Sequence, residues 1–381
     1  YECVPMRFIK HVYKIHTYAQ DGCLFEGKTP VSAFLNSSYD GSFIAGLMEL
    51  RYIQSLPVER IINYFESHGF TLKKPTAHKL MEKASSLFEN LYKCIRQTAL
   101  SDPYKAADET YYKILVPEKN SKGKGVRKGY LWVVVGINTR MIYLLYDDGS
   151  RSEKVILNEL GGCKGIIQSD GYSPYRKLES DAYPHITRIP CLQHIKRKFI
   201  DCGEDDPDAK RIVEMINTLY QNEHKHKIGV DGWTVEQNLV HRKKYAPDIL
   251  GEIKDVLDDI EERGDLLPKS ELKEAITYLR NEWNAVVDIF NYGDTYLDNN
   301  IVERMNRYIS LSRKNSLFFG SHKGAERGAI LYTIALTCRM NKVNLFEYLT
   351  DIINRTAEWQ PNTPLEKYRQ LLPDRWEKAN D

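Results

Sequence analysis

Apolar positions recur at helical spacing over residues 31–100. They switch to strand-like runs between about 106 and 190, then return to helical spacing. The first 30 residues read as extended and basic (Arg7, Lys10, His11, Lys14, His16) and break at Gly22, Gly27 and Pro30. In the first helical stretch Val58, Ile61, Ile62 and Phe65 share a face, closed by Ser67, His68 and Gly69. A second helix follows Pro75, starting at Thr76, with a stripe of Ala77, Leu80, Met81, Ala84, Leu87 and Leu91. Two short helices about a glycine turn fit a helix-turn-helix, and they fit plain helical packing equally well.

Runs rich in β-branched and aromatic residues follow: Tyr111–Val116, Tyr130–Ile137, Met141–Tyr146 and Gly165–Gln168. The middle two read as a hairpin across Asn138-Thr139, and a helix is expected near Ser152–Leu160. Helical pattern resumes at Cys191–Cys202. A strand cluster giving way to helices predicts an α/β layer, helices packed on a central sheet. Residues 203–291 form a separate helical block with three stripes: Ile212, Met215, Ile216, Leu219; then Ile249, Ile253, Val256, Ile260; then Leu272, Ile276, Leu279, Trp283, Val286, Phe290. The last, spaced alternately by four and three, is a buried helix seam.

Composition narrows the class. Hydrophobic residues make up 42% and charged residues 28% of 381, the balance of a soluble protein with a substantial core. No uncharged stretch approaches the roughly 18 residues of a membrane helix. Net charge is only +2, but it is unevenly spread: Lys119, Lys122, Lys124, Arg127 and Lys128 lie in a run without acids, whereas 252–265 is strongly acidic. Separated patches suit a protein with a polyanion-facing side, and each alone also suits a solvated surface. The seven cysteines are scattered and form no CxxC pair, which argues for reduced cysteines rather than a disulfide framework.

Three acids stand out by their settings. Asp108 sits at or just inside the strand that continues through Tyr111, Asp170 ends the run Gly165–Ser169, and Glu303 lies early in a helix with apolar Val302, Met305 and Ile309. Carboxylates at strand ends, joined by one on a helix, can converge on two divalent cations. Oxygen ligands suit Mg²⁺, and a pair of such ions serves phosphoryl displacement. Each acid has a plainer reading: turn residues at Asp108 and Asp170-Gly171, and a capping box between Asn300 and Glu303.

Five blocks occur in an order that resembles the insertion sequence 66 family of transposases. They are Ala107-Asp108-Glu109-Thr110, Ile167–Tyr172, Cys191–Phe199, Asp298–Arg304 and Ser312–Ser321, followed by the late Leu371–Trp376. Each is weak alone, and together, in order, they are specific. The resemblance covers about residue 31 to the end. It implies a ribonuclease H-like α/β core interrupted by an all-helical insertion, with a helical N-terminal region. It also implies DDE-type catalysis, with Asp108, Asp170 and Glu303 as catalytic metal ligands for two Mg²⁺ (or Mn²⁺) ions. The expected partners are DNA, both element ends and target, a second copy of the chain on DNA, and small accessory proteins of the same element. A bacterial cytoplasmic, nucleoid-associated setting goes with it.

The division expected from these readings is a remnant of a zinc-binding-like module (1–30), a helical DNA-binding region (31–100), the core's first part (101–202), the insertion (203–291), the core's second part (292–350) and a tail (351–381). The N-terminus departs from the family pattern: only Cys3 and Cys23 are present where cysteine pairs are usual, and tetrahedral zinc needs four good ligands. Basic residues flank the acids. His194, Lys196, Arg197, Arg304, Arg307, Arg313 and Lys314 are candidates for holding DNA phosphates, with a charged helix surface as the plain alternative. A structure-specific nuclease on the same core and an inactive DNA-binding relative are the rival functions.

Overall fold

A computed structural model describes residues 1–2, 5–27, 32–34, 37–119, 123, 125–203, 205–360 and 362–378. The chain begins with a hairpin of β1 (Thr17–Gln20) and β2 (Cys23–Glu26), exposed along its whole length. Four helices follow: α1 (Gly41–Met48), α2 (Val58–Ser67), α3 (Lys74–Leu87) and α4 (Glu89–Ser101). Next come β3 (Tyr104–Leu115), β4 (Val126–Gly136), β5 (Met141–Tyr146), α5 (Glu153–Leu160), β6 (Gly165–Ser169), α6 (Ser173–Arg176), β7 (Ile186–Pro190) and α7 (Leu192–Ile200). Three long helices, α8 (Pro207–Glu223), α9 (Val235–Glu262) and α10 (Glu271–Ile289), precede α11 (Asn300–Asn315). The chain closes with β8 (Phe318–Phe319), α12 (His322–Met340), α13 (Leu345–Thr356) and α14 (Leu365–Gln370).

The result is a mixed α/β protein around one six-stranded sheet. Its order is β5-β4-β3-β6-β7, with β8 pairing β3 beyond the end of β6. The first three strands run as an antiparallel meander, and β3, β6 and β7 are parallel. The expected hairpin joins β4 to β5, with Gly136 opposite Met141. Strand β3 begins at Tyr104, ahead of the expected run Tyr111–Val116, and takes in Asp108, which was expected at or just inside it. Its first half, Tyr104-Lys105-Ala106-Ala107, lacks β-branched residues and is buried instead by neighbours on both edges. The predicted stripe from Ala77 to Leu91 is also divided. Helix α3 ends at Leu87, Phe88 caps it, and Leu91 belongs to α4; the start is Lys74 rather than Thr76, which puts Pro75 in the first turn.

Two apolar cores result. One holds α1–α4, the meander, α12 and α13; the other holds β7, α7 and the α8–α10 block. All three stripes expected in 203–291 face this second core: Ile212, Ile216 and Leu219 of α8, Ile253, Val256 and Ile260 of α9, and Ile276, Leu279, Val286 and Phe290 are buried. Residues after 351 pack as well. Leu371 and Leu372 are buried, and the Leu371 carbonyl accepts from Tyr348 Oη at 2.8 Å.

One buried cation ties the helical block together. Arg242 of α9 is fully buried and donates to both carboxylate oxygens of Glu223 on α8, to the carbonyl of Tyr292, and to Thr295 Oγ1 (2.7 Å) and its carbonyl (2.6 Å). Asn238, one turn earlier, donates to the Gly293 carbonyl at 2.8 Å. The block is therefore fastened to the irregular segment of turns and bends that leads into α11. Arg242→Ala strands a half-buried carboxylate and several carbonyls, so a loss of about 3 kcal/mol is expected. It should read out as a lowered thermal midpoint of the intact chain, and an unchanged midpoint would remove Arg242 as the fastening.

Candidate active site

The site grows from an edge. Strand β6 pairs with β3 only over Tyr104–Ala106, and β8 pairs with β3 only at Lys113 and Ile114. Between them the β6 side of β3 has no strand partner, and unpaired carbonyls there need donors. Helix α11 supplies them. Asn299, its N-cap, donates Nδ2 to the Ala107 carbonyl at 2.9 Å; Asn306 donates Nδ2 to Asp108 Oδ2 at 2.6 Å; Arg313 donates to the Tyr111 carbonyl and lies 3.9 Å from the Tyr111 ring centre. Residues 299, 306 and 313 repeat every seven positions, two helical turns, so they share one face. Buried Val302 and Ile309 and half-buried Met305 complete the packing.

This arrangement sets the acids. The parallel register Ala106–Gln168, carried two positions further, lays Asp108 beside Asp170 at the tip of β6. Register Ser169–Pro190 carries on in the same way to Cys191 at the tip of β7. Glu303 and Asn306 are one turn apart on α11, so the helix that reaches Asp108 also carries the third acid. The carboxyl of Asp108 is pushed up to about 8, first by burial and then by the neighbouring carboxylates of Glu109 and Asp170. Glu109, on the opposite strand face by alternation, pairs with Arg151 and accepts from Tyr175 Oη at 3.4 Å.

Glu303 makes no capping box: the N-cap is Asn299, whose side chain is spent on β3. Its Oε1 lies 3.7 Å from Nδ1 of His194, too long for a hydrogen bond. Both atoms are buried without a hydrogen-bond partner, as are Asn306 Oδ1 and Asn299 Oδ1. Among the described residues, the group of ligand-type atoms lying within 4.8 Å of one another is Cys191, His194 and Glu303; the three acids do not form such a group. That group is a poor zinc site. The Cys191 thiol is pushed up to about 12 by burial, and zinc takes thiolate. The unpaired oxygens of Glu303, Asn306 and Asn299 are hard donors of the kind a divalent cation such as Mg²⁺ takes.

Asp170 is held from behind. Its Oδ1 accepts from the Tyr172 amide at 3.1 Å, and its carbonyl accepts from the fully buried Arg188 at 2.7 Å. Arg188 also donates to Ser169 Oγ and pairs with Glu179 and with Glu282 of α10. Next to Asp170, the Gly171 amide donates to Tyr278 Oη at 2.8 Å, and a Cβ on Gly171 would sit 2.5 Å from that oxygen. Only glycine lets α10 approach so closely.

The basic candidates divide. Arg197, Arg304, Arg307 and Lys314 are exposed, and Lys196 is half-buried. Arg313 is spent on β3, which gives it a structural duty that its neighbours lack. Lys119, Arg127 and Lys128 are described, whereas Lys122 and Lys124 lie outside the described residues; Lys128 Nζ stands 4.6 Å from the Tyr111 ring centre. Cys3 is likewise outside, and Cys23 is exposed and free. Sequence reading missed Asn299, Asn306, Glu109 and Arg188. The seven-residue spacing Asn299–Asn306–Arg313 was the available signal for the first two.

An edge-capped strand carrying Asp108 is faced by a helix bearing Glu303, with Asp170 at the tip of the adjacent parallel strand. The chain belongs to a transposase family: the family model described as Transposase IS66 family matches residues 36–327. It is similar to three proteins of Sinorhizobium fredii described as uncharacterized. They are y4qI (27% identical over 383 residues; 96% of this chain, 69% of that protein), y4jD (25% over 346; 87% and 65%) and y4hP (24% over 404; 100% and 70%). The chain thus spans about two thirds of the length of the relatives it matches. Among the described residues no helix is long and apolar enough to cross a membrane.

Asp108 gives a pH test. A carboxyl whose folded value is raised binds its proton more tightly in the folded state, so its contribution falls as pH rises from about 4 to about 8. In chelator, Asp108→Asn should be more stable than the parent at pH 8. The gain is a few kcal/mol at most, because each tenfold difference in proton affinity between the folded and unfolded chain is worth roughly 1.4 kcal/mol. It should vanish near pH 4. Equal unfolding midpoints at pH 8 would show that Asp108 is not under this strain.

Proposed function

We propose that the chain is a DDE-type DNA transposase that cleaves and joins phosphodiester bonds at the Asp108–Asp170–Glu303 site. The observation that carries the reading is the placement of Asp108 and Asp170 at matched positions of adjacent parallel strands, with Glu303 on the helix hydrogen-bonded to the first of them. Support for a ribonuclease H-like core comes from the antiparallel meander continued by two parallel strands, and from an acid on the first strand and another at the tip of the fourth. The α8–α10 block, with its own apolar core, fits an insertion over 203–291, between core parts 101–202 and 292–350. Residues 31–100 then make the helical N-terminal region.

In this reading Asp108, Asp170 and Glu303 hold two Mg²⁺ or Mn²⁺ ions. When bound, these supply activation of the attacking oxygen, from water or a DNA 3′-hydroxyl, and stabilisation of the leaving oxygen. The protein's own share is positional. Asn306 fixes one Asp108 oxygen, Arg188 fixes the Asp170 backbone, and His194 stands beside Glu303 where it can face a phosphate. Lys196, Arg197, Arg304, Arg307 and Lys314 neutralise DNA phosphates. Element ends and target DNA are the substrates, with a second copy of the chain and small accessory proteins as companions, in the bacterial cytoplasm on the nucleoid.

The test is a strand-transfer assay with labelled element ends. Asp108→Asn, Asp170→Asn and Glu303→Gln should each abolish cleavage and joining while DNA binding persists; activity within about tenfold of the parent, roughly 1.4 kcal/mol of barrier, would unseat that residue. Mg²⁺ or Mn²⁺ should support turnover, Ca²⁺ only binding, and undiminished activity in chelator would end the metal mechanism. Hydrolysis without joining would instead identify a nuclease.

Binding has its own measurement. Replacing exposed Arg304, Arg307 and Lys314 together with Ala should weaken all duplexes alike and flatten the salt dependence by about one counterion per lost contact. A loss confined to one sequence would mean that these residues read bases.

A further inference from the structure

Beside the acids, past the first turn of α11, a cleft of about 450 Å³ opens between the end of α8 and the stretch from Tyr296 to Arg304. Its most unusual member is Tyr296, a residue 51% exposed although its backbone is pinned on both sides; its ring centre lies 6.1 Å from that of Tyr104. The amide donates to Tyr104 Oη at 3.0 Å, and the carbonyl accepts from buried Gln168 Nε2 at 2.8 Å. An aromatic ring left in solvent on a fixed backbone loses little freedom when it binds.

The charges around it are unequal in availability. Glu223 is paired with Arg242, and Asp298 accepts from the Asn300 amide. Lys227 and Arg304, both exposed, make no ion pair among the described residues. The Tyr220 hydroxyl, which also lines the cleft, is buried beside the Asp298 carboxylate. An exposed aromatic ring and two cations without ion-pair partners match two parts of a nucleotide, its base and its phosphate.

We infer that this cleft is a subsite for one unpaired nucleotide of the DNA strand at the acidic site, its base stacked on Tyr296 and its phosphate held by Lys227 and Arg304. The inference rests on the reading of that site as a place where DNA is cut. A base inside a duplex has both faces covered, so the strand must be frayed or overhanging where it enters.

The experiment uses the full chain and two duplexes of one sequence, one blunt and one with a short 5′ overhang carrying 2-aminopurine, whose fluorescence is quenched on stacking. The overhang duplex should bind about tenfold more tightly than the blunt one, with quenching, as one stacked base would give. Tyr296→Ala should remove both the preference and the quenching and leave blunt-duplex affinity in place, whereas Tyr296→Phe keeps both. Lys227→Ala should reduce the preference. Equal binding of the two duplexes without quenching refutes the subsite and leaves the DNA reading standing; binding of neither duplex refutes both. Equal quenching of the free 2-aminopurine nucleotide would assign the cleft to mononucleotides and overturn the inference.

Discussion

Everything at the acidic site depends on one strand edge being closed by a helix instead of another strand. Where β6 stops, β3 continues with carbonyls facing outward, and an open edge of this kind attracts other strands. Asn299 and Arg313 satisfy two of those carbonyls, and Asn306, midway between them, reaches the carboxylate of Asp108. The closure that protects the strand therefore also fixes where Glu303 stands. Further ties hold the far end of α11: buried Arg51 donates to Ser312 Oγ at 3.2 Å, Tyr112 Oη to the Ser316 carbonyl, and Asn315 to the Ser55 carbonyl. The N-terminal helices thus bear on the helix that carries the third acid.

A second set of ties comes from the opposite direction. Helix α10 touches β7 through Glu282 on Arg188 and the loop after β6 through Tyr278 on Gly171, and α9 grips the segment before α11 through Arg242. Asp170 and Glu303 approach the site on separate stretches of chain, and the helical block contacts the lead-in to both. A long excursion between two residues that must cooperate costs loop entropy, though only slowly with length. Here the excursion folds on its own core and returns buried hydrogen bonds to both ends. A shift of this block would move Asp170 relative to Glu303, so the geometry of the acids is coupled to its packing.

How much of this was legible in the sequence depends on the range of the interaction that decides it. Helical stripes such as Ile276–Leu279–Val286 are written in local spacing and were readable, as was the β4–β5 hairpin from its turn residues. The first half of β3 was not, because Lys105, Ala106 and Ala107 have little intrinsic strand preference and owe their conformation to partners on both edges. The break at Phe88 was hidden for a related reason: α4 resumes with an apolar face in nearly the same phase. Asp108, Asp170 and Glu303 were singled out from their motifs and from family resemblance, since nothing local brings residues so far apart together. Asn306 and Arg188 carry no motif of their own. Their roles exist only once β3, β6 and α11 are adjacent.

The electrostatics explain why the surroundings of the acids are so heavily braced. Burial and two neighbouring carboxylates push the Asp108 carboxyl up, so its contribution to the folded state falls as the solution becomes more alkaline. Simple stabilisation would replace one acid with an amide or bring an arginine to it. Instead, the available cations stand one step away: Arg151 takes Glu109, and Arg188 takes the Asp170 carbonyl rather than its carboxylate. Arg313 is turned to the backbone of β3. The fold therefore leaves the carboxyls of Asp108 and Asp170 without an arginine partner although cations stand nearby, so ionising both costs repulsion and burial. Charge left uncancelled in this way is the condition under which a divalent cation binds with most effect, because it relieves repulsion and burial together. The bracing of β3, β6 and α11 offsets what the uncancelled charge costs the folded state.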